Sequence, residues 1–356
     1  MSKKHFSFLL ILTMVVALLA ALLVPERTSD DPDANLGPLF PLAETWVNDV
    51  EWLRIVSVEG ELRLTRRDAQ WQVDALAGYP ADWERLRTLL ADLAQAEVIE
   101  LKTDNPQYYS RLGVEDPSMP GAGGLLLEFE AGGERHGLVV GNSATTRSGQ
   151  YVRLADSATS LLIDRELTTA RTAVEWAMRE IADVASNAVA EVEIIHPDGD
   201  WVLAAKATSA DTDFTLKSLP EGREISSSWS VNALGGALSG LNMDHVSPVG
   251  APTADATVRL RLLTFDGIEY TLQAWKDDDA AWITAKASVP ARATEPAADA
   301  ESATPDVENL QAAADAFNRR VARWQFQIPE YKFQTLTQRS ESLLQPLEDA
   351  QQPSGG

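Results

Sequence analysis

Histidines are the side chains of this sequence best suited to acid–base or metal chemistry, and their spacing favours neither. The chain has four of them: His5, His136, His196 and His245. None stands in a His-x-x-x-His arrangement, the spacing that puts two zinc ligands on one helix face. The run Asp277-Asp278-Asp279 does not match the ligand spacing of a calcium loop and predicts a solvated turn. We therefore predict no metal site and no bound cofactor.

Nucleophilic catalysis has no clear sequence signature either. The nucleophile elbow Gly-x-Ser-x-Gly is absent, and so is the pattern Ser-x-x-Lys. A Ser-His-Asp triad is defined by geometry rather than by sequence order, so a hydrolase would need the three side chains in one concavity. The prediction is that the protein is not an enzyme and has no catalytic residues.

The ten tryptophans could supply stacking faces for a glycan or a protein partner. Most of them stand at alternating strand positions or at helix ends beside Leu and Val, where large aromatic side chains pack in a core. Trp46, Trp83 and Trp229 stand instead at loop or helix-cap positions and are predicted to be exposed. These three are the candidate contact residues for a partner or ligand.

The N-terminal segment decides where in the cell the rest of the chain is located. Residues 6–24 carry no charged side chain, and a helix of that length spans most of a hydrocarbon core about 30 Å thick. The run is longer than the roughly 7–15 apolar residues of a signal peptide, and it does not end in a small-x-small cleavage site. We predict an uncleaved transmembrane signal anchor, with a cleaved signal as the alternative.

Flanking charges predict the orientation of this anchor. Lys3 and Lys4 precede it, whereas Arg27 is the only basic residue among several carboxylates that follow it. Because Lys and Arg stay on the cytoplasmic side, the bulk of the chain is expected in the periplasm of a bacterium, single-pass on its inner membrane. The formal net charge of -23 argues against nucleic-acid binding and against attraction to anionic lipid.

Beyond the anchor the sequence repeats itself. The pattern Asn-x-Val-x-x-aliphatic-x-Ile is present at 48–55 and again at 187–194, and each copy continues as a β-meander. A helix follows in each copy, with apolar residues at i, i+3, i+4 and i+7. The two predicted stripes are Leu86, Leu89, Leu90 and Leu93, then Leu234, Ala237, Leu238 and Leu241.

Helix caps and closing helices complete each predicted copy. Asp82 is the expected N-cap of the first stripe, and Asn232 or Ser230 that of the second. More antiparallel strands follow, and each copy closes with a second helix, over 168–176 and about 307–324. Runs of strands joined by short turns and interrupted by single helices predict an α+β fold. The expected architecture is a transmembrane helix followed by two tandem repeats of antiparallel β-meander plus helices.

Composition shifts set the expected domain boundaries. Residues 25–44 are polar and contain prolines, as a tether would, and 288–304 are rich in Ala, Pro and Glu. The predicted division is a cytoplasmic N-terminus (1–5), the anchor (6–24), the tether (25–44), a first repeat (45–186), a second repeat (187–335) with a flexible insertion (288–304), and a C-terminal tail (336–356).

Several motifs in this order resemble a known family. They are Trp71-Gln-Val73, Tyr79-Pro-Ala-Asp82, Tyr109-Ser-Arg-Leu-Gly-Val-Glu-Asp-Pro117, Val140-Gly-Asn142 and Tyr151-Val-Arg153. With the N-terminal anchor, the pattern resembles the bacterial envelope proteins called domain of unknown function 4340. The resemblance implies an auxiliary component of a gliding-motility-type ABC transport system, with a permease or a companion auxiliary subunit as partner. It transfers no catalytic residue.

Three functions follow as expectations. The leading one is a non-catalytic, membrane-anchored periplasmic accessory or scaffold protein. The alternative is a periplasmic protein that binds a small ligand or glycan in the cleft between its domains, a common place for pockets. An envelope hydrolase is the third.

Overall fold

The computed structural model of the protein describes residues 36–41, 45, 47–145, 147–250, 257–290 and 307–346. The predicted cytoplasmic N-terminus (1–5) and signal anchor (6–24), and most of the insertion predicted at 288–304, lie outside these residues. Among the helices that are described, none is long and apolar enough to cross a membrane.

The described residues form a mixed α+β fold rich in antiparallel sheet, as predicted. The strands are β1 (Trp52–Ser57), β2 (Gly60–Arg67), β3 (Gln70–Val73), β4 (Tyr79–Pro80), β5 (Val98–Leu101), β6 (Leu125–Ala131), β7 (Glu134–Ser143), β8 (Gln150–Leu154), β9 (Ser160–Ile163), β10 (Glu180–Ala182), β11 (Val189–Ile195), β12 (Trp201–Ala205), β13 (Thr215–Leu216), β14 (Leu241–Asn242), β15 (His245–Pro248), β16 (Val258–Thr264), β17 (Glu269–Asp277), β18 (Ala280–Ser288) and β19 (Trp324–Gln327). The helices are α1 (Trp83–Gln95), α2 (Tyr109–Leu112), α3 (Ser228–Gly235), α4 (Val307–Val321) and α5 (Glu330–Leu336).

The chain divides into two compact units whose segments alternate along the sequence. Unit 1 contains the described residues up to 51 together with 55–60 and 88–169. Its strands follow the order β1-β6-β7-β8-β9-β5, with residues 55–57 as its share of β1. Side chains alternate in burial along β6, where Leu125, Leu127 and Phe129 are almost completely buried, as expected for a strand with one face on a core.

Unit 2 contains residues 52–54, 61–87 and the described residues from 170 onwards. It includes the antiparallel run β2-β3-β4, a small sheet of β10 and β14, and an eight-stranded sheet in the order β13-β12-β11-β16-β17-β18-β19-β15. Residues 225 and 344 form an isolated bridge that ties the C-terminal part of the chain into this unit.

The two units share one strand order over six strands. The order β1-β6-β7-β8-β9-β5 in unit 1 matches β11-β16-β17-β18-β19-β15 in unit 2. A further short pairing matches as well. In unit 1 Pro38 bridges Glu97, just before β5, and in unit 2 β10 pairs with β14, just before β15. The repeat boundary near Ser186 stays a prediction, since the compact units interleave.

Helix α1 begins where the sequence places it. The backbone N–H of Arg85 donates a hydrogen bond of 3.1 Å to Oδ1 of Asp82, so Asp82 is the predicted N-cap. The apolar stripe is buried along the whole helix, with at most 8% exposure. Its members are Leu86, Leu89, Leu90 and Leu93.

Helix α3 is shorter than predicted and begins earlier. Its N-cap is Ser227, whose hydroxyl oxygen accepts a hydrogen bond of 3.1 Å from the backbone N–H of Trp229. The predicted caps Ser230 and Asn232 are therefore wrong. The amide of Asn232 instead joins a loop, since its Oδ1 accepts a hydrogen bond of 2.8 Å from the N–H of Phe214.

The closing helix predicted over 168–176 is also wrong. Only a single 3-10 turn, Val174–Trp176, forms there. The indole of Trp176 is fully buried and donates a hydrogen bond of 3.0 Å to the carbonyl of Ala170. This segment is therefore held in place by one large buried side chain and not by the apolar face of a helix. The second closing helix is confirmed as α4, but α4 connects β18 to β19. Their counterparts β8 and β9 are joined by a short turn, which explains why unit 1 has no equivalent helix.

Candidate interaction site

Residues 102–124, here called the motif loop, connect β5 to β6 and carry the sequence motif Tyr109–Pro117. A 3-10 turn begins after Asn105, whose Oδ1 accepts a hydrogen bond of 3.1 Å from the N–H of Gln107. Helix α2 follows and ends at Gly113, which adopts a left-handed φ of 70°. Glycine adopts this conformation at no steric cost, so the Leu-Gly step of the motif is a helix stop.

The motif loop packs on unit 1 through a small core of its own. Tyr109 and Val114 from the loop are buried together with Val139 of β7. Leu126 and Tyr151 pack against this cluster from β6 and β8. Because Leu126 alternates with the buried Leu125 and Leu127, it points to the other face of the sheet. The loop thus covers a second face of the same strands.

The guanidinium group of Arg153 in β8 holds the motif loop against the sheet of unit 1. Its Nε donates a hydrogen bond of 3.1 Å to the carbonyl of Val114, and its Nη1 donates one of 3.0 Å to the carbonyl of Ser157. The guanidinium carbon lies 5.0 Å from the ring centre of Tyr109, and the hydroxyl of Tyr109 donates to the carbonyl of Ala158. The Tyr-Val-Arg motif and the Tyr109 motif therefore form one structure.

The Val-Gly-Asn motif also contacts the motif loop, through the backbone of its glycine. A Cβ added to Gly141 would lie 2.3 Å from the carbonyl oxygen of Leu112, and one added to Gly124 would lie 2.1 Å from that of Gly113. Both distances are far below van der Waals contact. Glycine at 141 allows the loop to lie this close to β7, and glycine at 124 allows two parts of the loop to lie against each other. Three separate sequence motifs therefore meet at this place in unit 1.

The side chain of Asp116 stabilises a turn in the loop just after the buried Val114. Its carboxylate accepts hydrogen bonds from the backbone N–H of Ser118 at 2.9 Å and from the Ser118 hydroxyl at 2.7 Å. These bonds, with a smaller contribution from Arg153, lower the pKa of Asp116. The carboxylate is thereby held in its charged form, and this part of the loop keeps a fixed turn.

The motif loop also presents exposed side chains. Tyr108 and Met119 are 44% and 57% exposed, and the guanidinium of Arg111 lies 5.0 Å from the ring centre of Tyr108. An aromatic ring, a thioether and a cation on a rigid loop suit binding to another surface, because such residues are enriched at protein interfaces. We define Tyr108, Arg111 and Met119 as the loop patch.

Two of the three tryptophans predicted as contact residues lie away from the motif loop. Trp83 and Trp229 are 49% and 77% exposed and lie in unit 2, at the starts of α1 and α3. Trp46 lies outside the described residues. Whether the tryptophans contact a partner stays a prediction. A further exposed indole, Trp201, belongs to β12 and donates a hydrogen bond of 3.2 Å to Glu193.

A Ser, a His and an Asp do meet in unit 2, but not in the order of a catalytic triad. The hydroxyl of Ser340 donates to Asp200, so the carboxylate lies between the other two. Nε2 of His196 is 4.0 Å from Asp200 Oδ2 and 3.3 Å from the carbonyl oxygen of Gln338. A triad needs the imidazole next to the hydroxyl. In this arrangement the groups fix residues 338–340 to the turn at 196–200.

A second charged cluster lies on the eight-stranded sheet. Arg261 contacts the carboxylates of Glu193 at 2.8 Å and Glu269 at 3.2 Å, and that of Glu191 as well. Burial lowers the pKa of Arg261, but the three carboxylates outweigh burial and raise it. Every carboxylate here is bound to the same guanidinium, so the cluster cross-links strands. No group of three metal-binding side chains exists within the described ranges.

One cavity of about 580 Å³ lies in unit 1. Phe40 and His136 line it, together with the charged side chains of Glu128, Arg135 and Asp156. The imidazole of His136 is stacked on the ring of Phe129, 5.2 Å between centres. No sequence pattern indicates this cavity, since its walls come from segments far apart in the chain.

A family model described as Domain of unknown function (DUF4340) matches residues 71–261, more than half of the chain. The matched range includes the motif loop and all five sequence motifs. No curated protein and no solved structure matches the chain.

Proposed function

The chain belongs to the DUF4340 family, and on this premise we propose that it is a non-catalytic accessory or scaffold protein of the bacterial periplasm. It is anchored in the inner membrane by residues 6–24 and is an auxiliary component of an ABC-type transport system. Its partner is the permease of that system or a companion auxiliary subunit. The finer family resemblance and the anchor sequence support this proposal.

The observation that carries the proposal is the construction of the motif loop. The motif residues are used for packing: Tyr109 and Val114 are buried, and Arg153 binds carbonyl groups. What the loop leaves exposed is the loop patch. A rigid loop that holds an aromatic ring and a cation at the surface fits recognition of a partner better than it fits catalysis.

Purification of the full-length protein from membranes in a mild detergent tests the partner. We expect an ABC-transporter permease or auxiliary subunit, identified by mass spectrometry, to copurify with the wild type. The double substitution Tyr108→Ala with Met119→Ala should reduce this recovery at least tenfold. Val58→Ala is the matched control, because Val58 is also exposed and apolar and lies outside the loop. Recovery of no transporter subunit with the wild type would refute the proposal.

A separate experiment tests the anchor and the orientation. An alkaline phosphatase fused to the C-terminus should be active, because that enzyme matures only in the periplasm. N-terminal sequencing of the membrane-bound protein should find residues of the 1–5 segment. A mature chain that begins after Ala20, or an inactive fusion, would contradict an uncleaved anchor with a periplasmic bulk.

A second function is favoured by the cavity of unit 1. The volume of about 580 Å³ lies within the range of small-molecule sites, and its walls combine aromatic with charged side chains. In this alternative the protein binds a small periplasmic ligand or a glycan. A thermal-shift screen should then give a ligand that raises Tm, and Phe40→Ala should abolish that shift. A screen without any stabilising compound would count against it.

A further inference from the structure

Residues 36–41, called the docked segment, are the first described part of the chain and are fixed on unit 1. The N–H of Leu36 donates a hydrogen bond of 2.8 Å to the carbonyl of Val98, and Val98 returns one of 2.8 Å to the carbonyl of Gly37. Leu39 and Phe40 are 5% and 6% exposed. Although these residues belong to the predicted tether (25–44), they form part of the folded unit.

The edge of unit 1 where this segment lies exposes two leucines. Leu36 is 55% exposed, and Leu101, at the end of β5, is 59% exposed. The bridge between Pro38 and Glu97 is antiparallel, so the docked segment enters from the Leu101 end of β5. Leu101 is three residues beyond Val98, about 10 Å along the strand. We define Leu36 and Leu101 as the leucine edge.

The length of chain before this edge limits its distance from the anchor. If residues 6–24 span the bilayer, only the eleven residues 25–35 separate the anchor from Leu36. Fully extended, eleven residues reach about 40 Å at most. The leucine edge is therefore the part of unit 1 whose distance from the bilayer is most tightly limited by the chain.

Charges next to the leucine edge are partly compensated. The ammonium of Lys102 lies 2.7 Å from the carboxylate of Glu100 and 5.7 Å from the ring centre of Tyr151. Arg165 pairs with Asp164 at 3.0 Å. With the chain as a whole at a net charge of -23, a contact with lipid at this edge must be apolar, since anionic headgroups would repel the protein.

We propose that the leucine edge lies against the outer surface of the same membrane that holds the anchor, with Leu36 and Leu101 at the level of the lipid headgroups. This inference rests on the anchor of the proposed function. It fixes which side of unit 1 faces the lipid and leaves the sides away from this edge open to a periplasmic partner.

Single-cysteine labelling tests this placement, and the chain contains no cysteine that would need to be removed. Full-length protein with Leu101→Cys or Leu36→Cys is labelled with a fluorophore and reconstituted into phosphatidylcholine vesicles that carry a nitroxide quencher on the lipid headgroup. Val58→Cys is the matched control. Val58 is 51% exposed, and β1 is five strand positions from β5, about 24 Å.

We expect quenching at positions 36 and 101 to be at least threefold stronger than at position 58. Equal quenching at all three positions in protein that floats with the vesicles would overturn the leucine-edge inference and leave the anchor standing. Quenching that appears only with phosphatidylglycerol would overturn it too, because the contact would then be electrostatic. Protein that does not float with the vesicles would refute the anchor, and the inference would fall with it.

Discussion

Nε of Arg153 donates a hydrogen bond of 3.1 Å to the carbonyl oxygen of Val114, and this bond joins β8 to the motif loop. The two residues are far apart in sequence, and each belongs to a different motif. Val114 is fully buried while Arg153 is half-buried, so the bond is partly shielded from water. A charged donor with a carbonyl acceptor contributes more than a neutral pair in such a place.

Replacement of Arg153 should loosen the motif loop. We expect Arg153→Ala to lower the free energy of unfolding by about 2 kcal/mol, since several hydrogen bonds from a charged group and a cation–π contact are lost. Hydrogen exchange of residues 109–114 should accelerate. Urea denaturation followed by tryptophan fluorescence measures the first effect and mass spectrometry the second.

Two further variants sharpen that experiment. Arg153→Lys should recover only part of the loss, because an ammonium cannot reach two carbonyls in a fixed fork. Arg111→Ala, in the exposed loop patch, should change stability by less than about 0.5 kcal/mol. Equal effects of Arg153→Ala and Arg111→Ala would contradict the role given to Arg153.

Close backbone contact within the motif loop predicts a strong glycine requirement. Gly124→Ala should destabilise the protein by about 2–3 kcal/mol, because its Cβ would lie 2.1 Å from the Gly113 carbonyl and the backbone must shift. Gly236→Ala is the control, since the nearest atom to its Cβ is 3.5 Å away. Thermal unfolding of both variants decides the point; a Gly124→Ala protein as stable as the control would show that the contact can relax.

Local patterns of the sequence predicted the strands well and the helix ends poorly. Strands such as β6 and β16 were predictable because alternating burial repeats every second residue. The stripe predicted for the second helix was built on Leu234, Ala237, Leu238 and Leu241, and all four are buried. Yet only Leu234 lies in α3, since the chain leaves the helix at Gly235 and buries the other three in turns and β14.

Contacts distant in sequence were beyond prediction. The packing of Tyr109 against Val139 depends on how β7 is placed, and no short pattern encodes it. The two units also differ at the face that the motif loop covers. Leu126 and Val139 pack under the loop, whereas the strand positions that correspond to them in β16 and β17 hold the exposed Arg259 and Gln273. Because this face of the sheet in unit 2 is polar, it can remain in contact with water without a loop packed on it.

Acid should weaken the contact between Asp164, which follows β9, and Glu97, which precedes β5. Burial raises the pKa of Asp164, but hydrogen bonds from Arg165 and from the N–H of Glu97 outweigh burial and hold the pKa below its ordinary value of 3.8. A carboxyl whose folded pKa is lowered stabilises the protein above its unfolded pKa, and this contribution is lost as pH falls through the folded value. We therefore expect the protection factor of the Glu97 amide, which compares its exchange with that of an unprotected amide at the same pH, to fall below about pH 4.

The variant Asp164→Asn provides the control for that titration. It has no charge to lose, so the protection factor of its Glu97 amide should already be lower at neutral pH and should not fall further in acid. Exchange measured by NMR between about pH 6 and pH 3 compares the two proteins. An identical pH profile in both would mean that another group titrates.

Phe40 should be the residue that holds the docked segment on unit 1. Its ring contacts Phe129 and His136 edge-on, with centres 5.7 Å and 5.5 Å apart, and it is 6% exposed. Phe40→Ala should cost about 3 kcal/mol, through lost burial and the hole left behind. Limited proteolysis should then cut near residues 36–41, whereas Leu36→Ala, at a half-exposed position, should leave the segment protected. If the Phe40→Ala protein resists the protease as well as the wild type, the backbone hydrogen bonds of the segment hold it without the ring.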